Sequence, residues 1–367
     1  MLKQSAKDFL TKECPMTMVR EMEKNDKGYL PEIWQKIAEL GWVGLVIPED
    51  YDGMACSFQD MTVLLEECGR YLIPAPLLHT VVGTFPIMDF GSEEQKKEFL
   101  PRISCGELIL TTAAYEKEGT LGPASIQMKA AAKDNDFVLN GTKLFVEFAN
   151  AADYIICPAR TKEGMGTDGI SVFIVDAKSE GIHIEVMPSI GRDKQCEVRF
   201  DNVTVSGKNV IGEVDKGWDV FDRTMHKGTI CKCAESIGGM AMALEKTVEY
   251  AKERVQFGRT IGSFQALQHI MADMTIDLNT SQYLTYKVAW MESEGMPCEK
   301  EAAMAKAFVN ERYKSVTRWS LRLHGGIGTS DETEVPVYYR RAKSADYAFG
   351  NADYHREIVA QEIGLKS

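Results

Sequence analysis

The sequence predicts an α+β protein with an N-terminal α-helical domain, a middle antiparallel β-domain (barrel or sandwich) and a C-terminal four-helix bundle. Apolar residues recur at helical spacing up to about residue 108 and again after about residue 213. Short β-branched runs separated by turn residues fill the stretch between them. Strands and helices do not alternate, so we expect no Rossmann-type sheet. The predicted domains are 1–108, 109–212 and 213–367.

The N-terminal domain is predicted to consist of short helices. In the first of these, Ile33, Ile37 and Leu40 fall on one face. Pro31 stands near its start and Gly41 just beyond its end, which is the usual punctuation of a helix. Two further short helices are predicted over residues 58–68 and 93–100, after which the helical pattern ends.

The middle domain shows the rhythm of short strands and turns. The runs 137–139, 143–146, 170–175, 182–186 and 198–200 are rich in Val, Ile and Phe. Turn signals such as Asn-Gly and Glu-Gly separate them. This pattern is typical of a small antiparallel sheet that closes into a barrel or packs as a sandwich.

Long amphipathic helices are predicted for the C-terminal domain. The second of these has apolar residues that repeat at steps of three and four, namely Phe264, Leu267, Met271, Met274 and Leu278. Helices with such stripes pack side by side as a bundle. A fourth helix is predicted to run from about Val337 to the end of the chain.

Charge and cysteine usage exclude several classes of protein. Asp and Glu outnumber Lys and Arg by 54 to 42, which gives a formal net charge of −12. We therefore expect neither a nucleic-acid partner nor an anionic membrane surface. The nine cysteines are scattered without C-x-x-C spacing, so free thiols in a reducing compartment are expected, and no metal site.

No membrane span or secretion signal is expected. The most apolar stretch, from Leu72 to Met88, is interrupted by Pro74, Pro76 and Pro86, and it cannot form an unbroken span of about 20 residues. The first residues lack the apolar core of a signal peptide. A cytoplasmic location is therefore predicted.

A first motif, residues 254–269, joins two bundle helices through a Gly-containing turn. Arg254 and Arg259 bring two cations close to the start of the next helix, where backbone N–H groups are free. Arginines beside helix amides suit a diphosphate. A helix hairpin with solvated arginines fits the same spacing equally well.

A second motif, residues 323–329, places three glycines within four residues after the third bundle helix. A helix C-cap needs only one glycine. Additional glycines let the backbone approach a ligand closely, since no Cβ intervenes. We therefore expect a ligand-contacting loop rather than a simple cap.

Together these motifs resemble the acyl-CoA dehydrogenase family over essentially the whole chain. The run 40–53, the Leu139–Lys143 hairpin and residues 200–212 share in the resemblance. The resemblance implies a tetramer in which FAD lies across a subunit interface. It implies FAD contacts for Arg254, Phe257 and Gln265 at one site, and for Arg322, Gly325 and Gly326 at the FAD of a neighbouring subunit. Arg322 stands where many relatives have Gln.

The same resemblance implies an α,β-dehydrogenation of an acyl-CoA thioester. A carboxylate removes the α-proton, the β-hydrogen leaves as a hydride to the flavin, and electrons pass to an electron-transfer flavoprotein. The thioester carbonyl needs hydrogen-bond donors so that the α-proton becomes acidic.

The chain departs from the family at the base. The position that holds the carboxylate in many relatives corresponds to Phe349, and the position used by a minority corresponds to Gly228. Asp346 and Asp353 lie about one helical turn to either side of Phe349 and are the candidate replacements. A related partner subunit that supplies the base, as in two-chain bacterial members, is the preferred alternative.

The flavin-facing segment departs as well. Phe145-Val146-Glu147 stands where relatives have Trp-x-Thr, so Phe145 retains an aromatic surface. Glu147 would either lie near the flavin, where its charge disfavours an anionic reduced ring, or point to solvent from a strand edge. Residues 113–120 replace the usual Thr-Glu-Pro-x-x-Gly-Ser-Asp segment and retain only its glutamate, Glu116.

Two other functions share the predicted fold. The chain could be a non-catalytic structural subunit of a heteromeric dehydrogenase, in which case the purified protein would be colourless. It could instead be a flavin oxidase or monooxygenase, in which case it would consume oxygen without an electron-transfer flavoprotein.

Overall fold

The computed structural model describes residues 1–365. The helices of this part are α1 (Leu2–Glu13), α2 (Met16–Lys24), α3 (Pro31–Glu39), α4 (Phe58–Tyr71), α5 (Leu77–Phe90), α6 (Glu93–Ser104), α7 (Trp218–Glu253), α8 (Gln265–Ser293), α9 (Glu299–His324), α10 (Val335–Tyr347) and α11 (Ala352–Glu362). The strands are β1 (Leu110–Thr112), β2 (Lys129–Lys133), β3 (Asp136–Glu147), β4 (Tyr154–Arg160), β5 (Ile170–Asp176), β6 (Ile182–Met187), β7 (Gln195–Ser206), β8 (Val210–Ile211), β9 (Val255–Gln256) and β10 (Arg259–Thr260). The predicted fold class is confirmed.

The N-terminal helices begin at residues whose side chains cap them. Ser57 and Ser92 each form a capping box, with Asp60 and Gln95 respectively, at the start of α4 and α6. Both helices extend beyond the predicted ranges. The helix α5 was not predicted, because its prolines suggested a break, yet Pro86 lies inside it. Most of its residues are buried, and burial on nearly all sides stabilises a helix in spite of an internal proline.

The β-domain is one eight-stranded sheet in the order β6-β7-β3-β2-β4-β5-β8, with β1 paired to β4. Most pairs are antiparallel, but β1 runs parallel to β4 and β2 makes a parallel contact with it. The sheet is thus mainly antiparallel, as predicted, and the parallel contacts of β4 with β1 and β2 are the additional feature. Strand β2, whose sequence is Lys-Ala-Ala-Ala-Lys, escaped prediction because its composition favours a helix. It forms a strand because β3 pairs with it along its whole length.

A buried ion pair fixes the centre of this sheet. Lys143 on β3 is fully buried, and its Nζ donates to Glu116 Oε1 at 2.8 Å. The Glu116 carboxylate also accepts hydrogen bonds from the backbone N–H groups of Gln127 and Met128 at 3.0 Å. Glu116 is thus occupied by three donors of its own domain, which assigns it a structural role.

The predicted fourth bundle helix is two helices. Helix α10 ends at Tyr347 and α11 begins at Ala352. Between them Phe349 and Gly350 have φ of 57° and 94°, which a right-handed helix cannot accommodate. The Tyr115 hydroxyl donates to the Tyr347 carbonyl at 2.7 Å and accepts from the Gly350 N–H at 2.9 Å. The α10–α11 connection is therefore tied to the β-domain.

The cysteines and the apolar helices bear on two further expectations. All nine cysteines, which lie within the described residues, are free thiols as predicted. Over residues 1–365, no helix combines the length and the apolar character that a membrane crossing requires.

Candidate active site

A cavity of about 770 Å³ lies where the three regions of the chain meet. Helix α5, the sheet and the α10–α11 connection all contribute to its wall. Its lining includes His79, Thr112, Phe145, Glu147, Asp346 and Phe349. The cavity wall is therefore assembled from segments that are far apart in the sequence.

The Phe349 ring occupies the space above Gly228. Phe349 is 9% exposed, and a Cβ added at Gly228 would lie only 2.4 Å from its Cε1 atom. The two positions that the resemblance offered for a base are thus in contact with each other. One holds an aromatic ring and the other makes room for it, so neither supplies a carboxylate.

Asp346 and Asp353 lie in different environments. Asp346 is 8% exposed and lines the cavity. Its Oδ2 accepts from Lys314 Nζ at 2.5 Å, whereas its Oδ1 is buried without a hydrogen-bond partner among the described residues. The Asp353 side chain is 87% exposed and pairs with Arg356 at 2.9 Å. The structure brings only Asp346 to the cavity.

Glu147 lies at the cavity wall and not in solvent. Its side chain is 13% exposed, and its Oε2 lies 2.7 Å from His79 Nε2. The interpretation of Glu147 as a solvent-facing residue at a strand edge is therefore wrong. The His79 ring also stacks on Phe349, with ring centroids 6.5 Å apart and planes inclined by 13°.

Opposing effects act on the Glu147 carboxyl. Burial raises its pKa, but the charges of His79, Lys232 and Arg341 outweigh burial and hold the pKa well below its ordinary value. The carboxylate is consequently ionised, and the side chains of Lys232 and Arg341 offset its charge. Repulsion of a reduced, negatively charged ligand is weaker than for an isolated glutamate.

Two further groups of the sheet are directed into the cavity. Phe145 has φ of 56° and follows a register shift between β3 and β7, and its side chain remains 46% exposed. A bulge of this kind re-aims a side chain. The buried Thr112 Oγ1 lines the same cavity and has no hydrogen-bond partner among the described residues. An unpaired hydroxyl beside an aromatic surface suits a polar planar ligand.

The two glycine-containing motifs lie at one end of the bundle. Tyr250, near the end of α7, stacks on His324 at the end of α9 with ring centroids 4.4 Å apart. Arg254, Gln265 and Arg322 are exposed. None of the predicted cofactor residues in these motifs lines the cavity.

The motif backbones leave space for a ligand. Phe257 has φ of 53° and is 84% exposed. Gly325 has φ of 67°, and an added Cβ at Gly325 or Gly326 would meet no described atom within 4 Å. The chain itself covers none of these positions. The predicted site residues thus form two groups, one in the cavity and one at the bundle end.

Sequence reasoning missed His79, Thr112 and Lys314. One available signal was a lone histidine within the apolar run of α5, since a buried imidazole needs a partner. Nothing in the local sequence indicated that this partner is Glu147, because the two residues are 68 positions apart and lie in different domains.

The α10–α11 connection should loosen in mild acid. Burial and Lys306 lower the pKa of His355 to about 4, and its Nε2 donates to the Phe349 carbonyl at 2.8 Å while Nδ1 has no partner. Because the unfolded state takes up this proton at higher pH, stability should fall as pH drops from about 6.5 to 4, by about 3 kcal/mol in total.

Chemical denaturation across this pH range measures the effect. His355→Gln keeps a donor for the Phe349 carbonyl and should remove this component of the pH dependence. His183→Gln, at an exposed histidine, should retain it. Equal pH dependence in both variants would contradict the assignment.

Comparison with known proteins identifies the class. The helical, β-sheet and helical arrangement of this chain is that of the flavin-dependent oxidoreductases that act on the CH–CH bond of acyl-CoA. The chain matches the N-terminal, middle and C-terminal domains of acyl-CoA dehydrogenase over residues 1–107, 111–203 and 215–364. It belongs to the acyl-CoA dehydrogenase family, whose members are FAD-dependent.

Individual relatives agree with this assignment. The chain is 30% identical over 370 residues to an acyl-CoA dehydrogenase of Bacillus subtilis, covering 99% of this chain and 97% of the relative. It is 29% identical to a caffeyl-CoA reductase–Etf complex subunit of Acetobacterium woodii, covering 98% and 96%. The solved structure of butyryl-CoA dehydrogenase from Megasphaera elsdenii superposes with a TM-score of 0.92 at 29% identity, covering 99% and 97%. These names favour the dehydrogenase over the structural-subunit and oxidase or monooxygenase alternatives.

Proposed function

We propose that this chain binds FAD and an acyl-CoA thioester, transfers hydrogen at the Cα–Cβ bond, and uses Asp346 as the proton acceptor. One observation carries the assignment of Asp346: it is a buried carboxylate at the cavity wall with an oxygen that no described residue occupies. A general base needs a carboxylate oxygen that no donor of the protein already holds.

The residues at the cavity fit FAD. The unpaired Thr112 hydroxyl and the exposed Phe145 ring offer a polar and an aromatic contact to the flavin ring. Glu147 would lie near the ring, with its Oε2 held 2.7 Å from His79 Nε2. When bound, FAD accepts the hydride equivalent. The protein's part is to place the thioester beside it and to exclude water.

The bundle-end group suits the dinucleotide portion. Arg254 offers a cation for the diphosphate, Phe257 an aromatic surface and Gln265 an amide. Gly325 and Gly326 allow close backbone approach, and Arg322 adds a further cation. Because these residues are exposed and lie outside the cavity wall, we assign them to FAD held between this chain and a neighbouring subunit.

A tetramer with identical or related chains is part of the proposal. Helix α8 exposes Ile276, Tyr283 and Trp290 by 61%, 75% and 46%, at steps of seven residues. Exposed apolar stripes of this kind mark interfaces between proteins. The stripe supports packing of α8 against another subunit.

Residues of the cavity handle the proton and the carbonyl. Asp346 Oδ1 accepts the α-proton, while Lys314 holds Oδ2. Among the hydrogen bonds of the described residues, none uses the Phe349 N–H as donor. This N–H is therefore available to polarise the thioester carbonyl, as acidification of an α-proton requires.

An electron-transfer flavoprotein is the proposed electron partner. The Acetobacterium woodii relative is named as a subunit of a complex with such a protein. In the alternative hypothesis, a related second subunit supplies the base. The cofactor and the substrate are then the same, and only the proton acceptor lies on another chain. It draws support from the contact between Phe349 and Gly228, which leaves no carboxylate at either familiar position.

Anaerobic mixing tests the proposal. The purified chain, loaded with FAD and given a panel of acyl-CoA thioesters, should lose its oxidised-flavin absorbance with at least one of them. A chain that stays oxidised with the whole panel until a related subunit is added would establish the partner as the source of the base.

Arg254→Ala should weaken FAD binding by about 10- to 100-fold, since a charge-assisted hydrogen bond to the diphosphate is lost. The ratio of flavin to chain after dialysis measures this loss. Arg102→Ala is the matched control, because the Arg102 side chain at the end of α6 is 40% exposed and pairs with Glu107 in the following loop. Equal flavin retention by the two variants would contradict the role of Arg254.

A further inference from the structure

A second cluster of reactive side chains lies where α7, α8 and α9 meet. His226 is on α7, Glu292 lies in the last turn of α8, and Cys298 directly precedes α9. His226 Nε2 lies 3.3 Å from Glu292 Oε2 and 3.4 Å from Cys298 Sγ. The same sulfur lies 3.8 Å from that carboxylate oxygen. Three ligand-type atoms from separate parts of the chain therefore converge.

The spacing of these atoms is that of a zinc site. A point equidistant from the three atoms lies about 2.0 Å from each, close to the usual Zn–N and Zn–O distances and slightly short of Zn–S. A tetrahedral ion with such bonds requires ligand separations of roughly 3.3–3.6 Å. The separations of 3.3 and 3.4 Å fall within this range, and the sulfur–oxygen separation of 3.8 Å exceeds it by about 0.2 Å, which a small side-chain rotation closes.

The two oxygens of Glu292 are engaged on different sides. Oε1 accepts from Arg223 at 2.5 Å and lies 4.0 Å from Lys227, whereas Oε2 faces His226 and Cys298. The cations therefore do not compete for the oxygen that would bind an ion. Metal-binding carboxylates are commonly oriented in this way, by a hydrogen bond to the oxygen that does not bind the metal.

The neighbourhood favours a cation and gives it access. His226 borders a surface cavity of about 380 Å³ whose charged lining comprises four carboxylates and two cations, namely Asp89, Asp219, Asp222, Glu299, Arg223 and Lys227. The excess of carboxylates lowers the cost of adding positive charge. A water molecule that enters through this cavity would complete the coordination as a fourth ligand.

We propose that His226, Glu292 and Cys298 bind one Zn²⁺ ion. Imidazole, carboxylate and thiolate together are ligands that zinc accepts in tetrahedral sites. The ion joins α7, α8 and α9, and it fixes the part of α7 that supplies Met225 to the active-site cavity. Sequence spacing could not reveal the site, because its ligands are 66 and six residues apart.

Binding exchanges the thiol proton for the metal. Zinc ligation requires the thiolate, and one proton is therefore released for each ion bound. Cysteine remains reduced throughout, and no electron is transferred.

Titration of the FAD-loaded chain with Zn²⁺ and Co²⁺ tests the proposal. We expect one Zn²⁺ per chain with release of one proton, and a thermal midpoint that rises with zinc. Co²⁺ should give intense tetrahedral bands and a thiolate charge-transfer band in difference spectra. Cys298→Ser and His226→Gln should each weaken zinc binding on the order of a hundredfold, with loss of the charge-transfer band in the first.

Two controls make the outcome decisive. Cys105→Ser and His183→Gln alter exposed residues outside the cluster and should bind zinc as the unaltered chain does. If Cys298→Ser fails to fold, by circular dichroism, His226→Gln alone tests the site. Absence of stoichiometric binding, or binding unchanged in His226→Gln, would overturn the proposal and leave a hydrogen-bonded triad.

Discussion

Asp346→Asn should slow reduction of the bound flavin by an acyl-CoA by about 10²- to 10⁴-fold, which is the usual contribution of a general base. Asparagine preserves the size of the side chain, and its amide oxygen can still accept from Lys314. The carboxylate oxygen Oδ1, which has no hydrogen-bond partner in the unaltered chain, becomes part of an amide that cannot take up the α-proton. Stopped-flow absorbance of the FAD-loaded variant measures the rate.

Asp353→Asn is the matched control for this prediction. Its carboxylate is 87% exposed and lies outside the cavity, so the rate of flavin reduction should be unchanged. FAD content and the affinity for acyl-CoA should be the same in both variants, because only proton transfer is altered. A rate of Asp346→Asn within a factor of two or so of the unaltered chain would exclude Asp346 as the base.

Lys143→Met should destabilise the protein by about 3–5 kcal/mol, since it leaves the Glu116 carboxylate buried without its counter-charge. Urea unfolding measures this loss. Lys178→Met is the control, because the Lys178 side chain is 78% exposed and its pair with Asp153 should contribute at most about 1 kcal/mol.

The double variant Glu116→Gln with Lys143→Met separates the pair from the rest of the fold. Removing both charges should recover part of the loss, because no unpaired charge stays buried. Equal costs for Lys143→Met and Lys178→Met would contradict the structural role of Glu116. That role accounts for the one glutamate that the chain retains from the family's Thr-Glu-Pro segment.

Local periodicity was sufficient to predict most helices and the three-part order. The stripe from Phe264 to Leu278 lies on α8, and the proline and glycine that bracket the third helix mark its observed ends. The glycine motifs were also located correctly at the bundle turns. These features depend on neighbouring residues, which a single sequence displays directly.

Features set by distant contacts could not be predicted in this way. The break at Phe349 requires positive φ at a non-glycine residue, and Tyr115, His355 and the space above Gly228 hold it there. Strand β2 is likewise imposed by its pairing with β3. The contact between His79 and Glu147 links two domains, and neither local sequence shows it.

Exchange of the α-hydrogens of an acyl-CoA with D₂O measures the central claim most directly, because it reports proton removal by the FAD-loaded chain and needs no electron acceptor. With no second type of subunit present, the unaltered chain should incorporate deuterium at the α-carbon and Asp346→Asn should not. Deuterium that appears only after a related subunit is added, and equally with Asp346→Asn, would contradict a base within this chain.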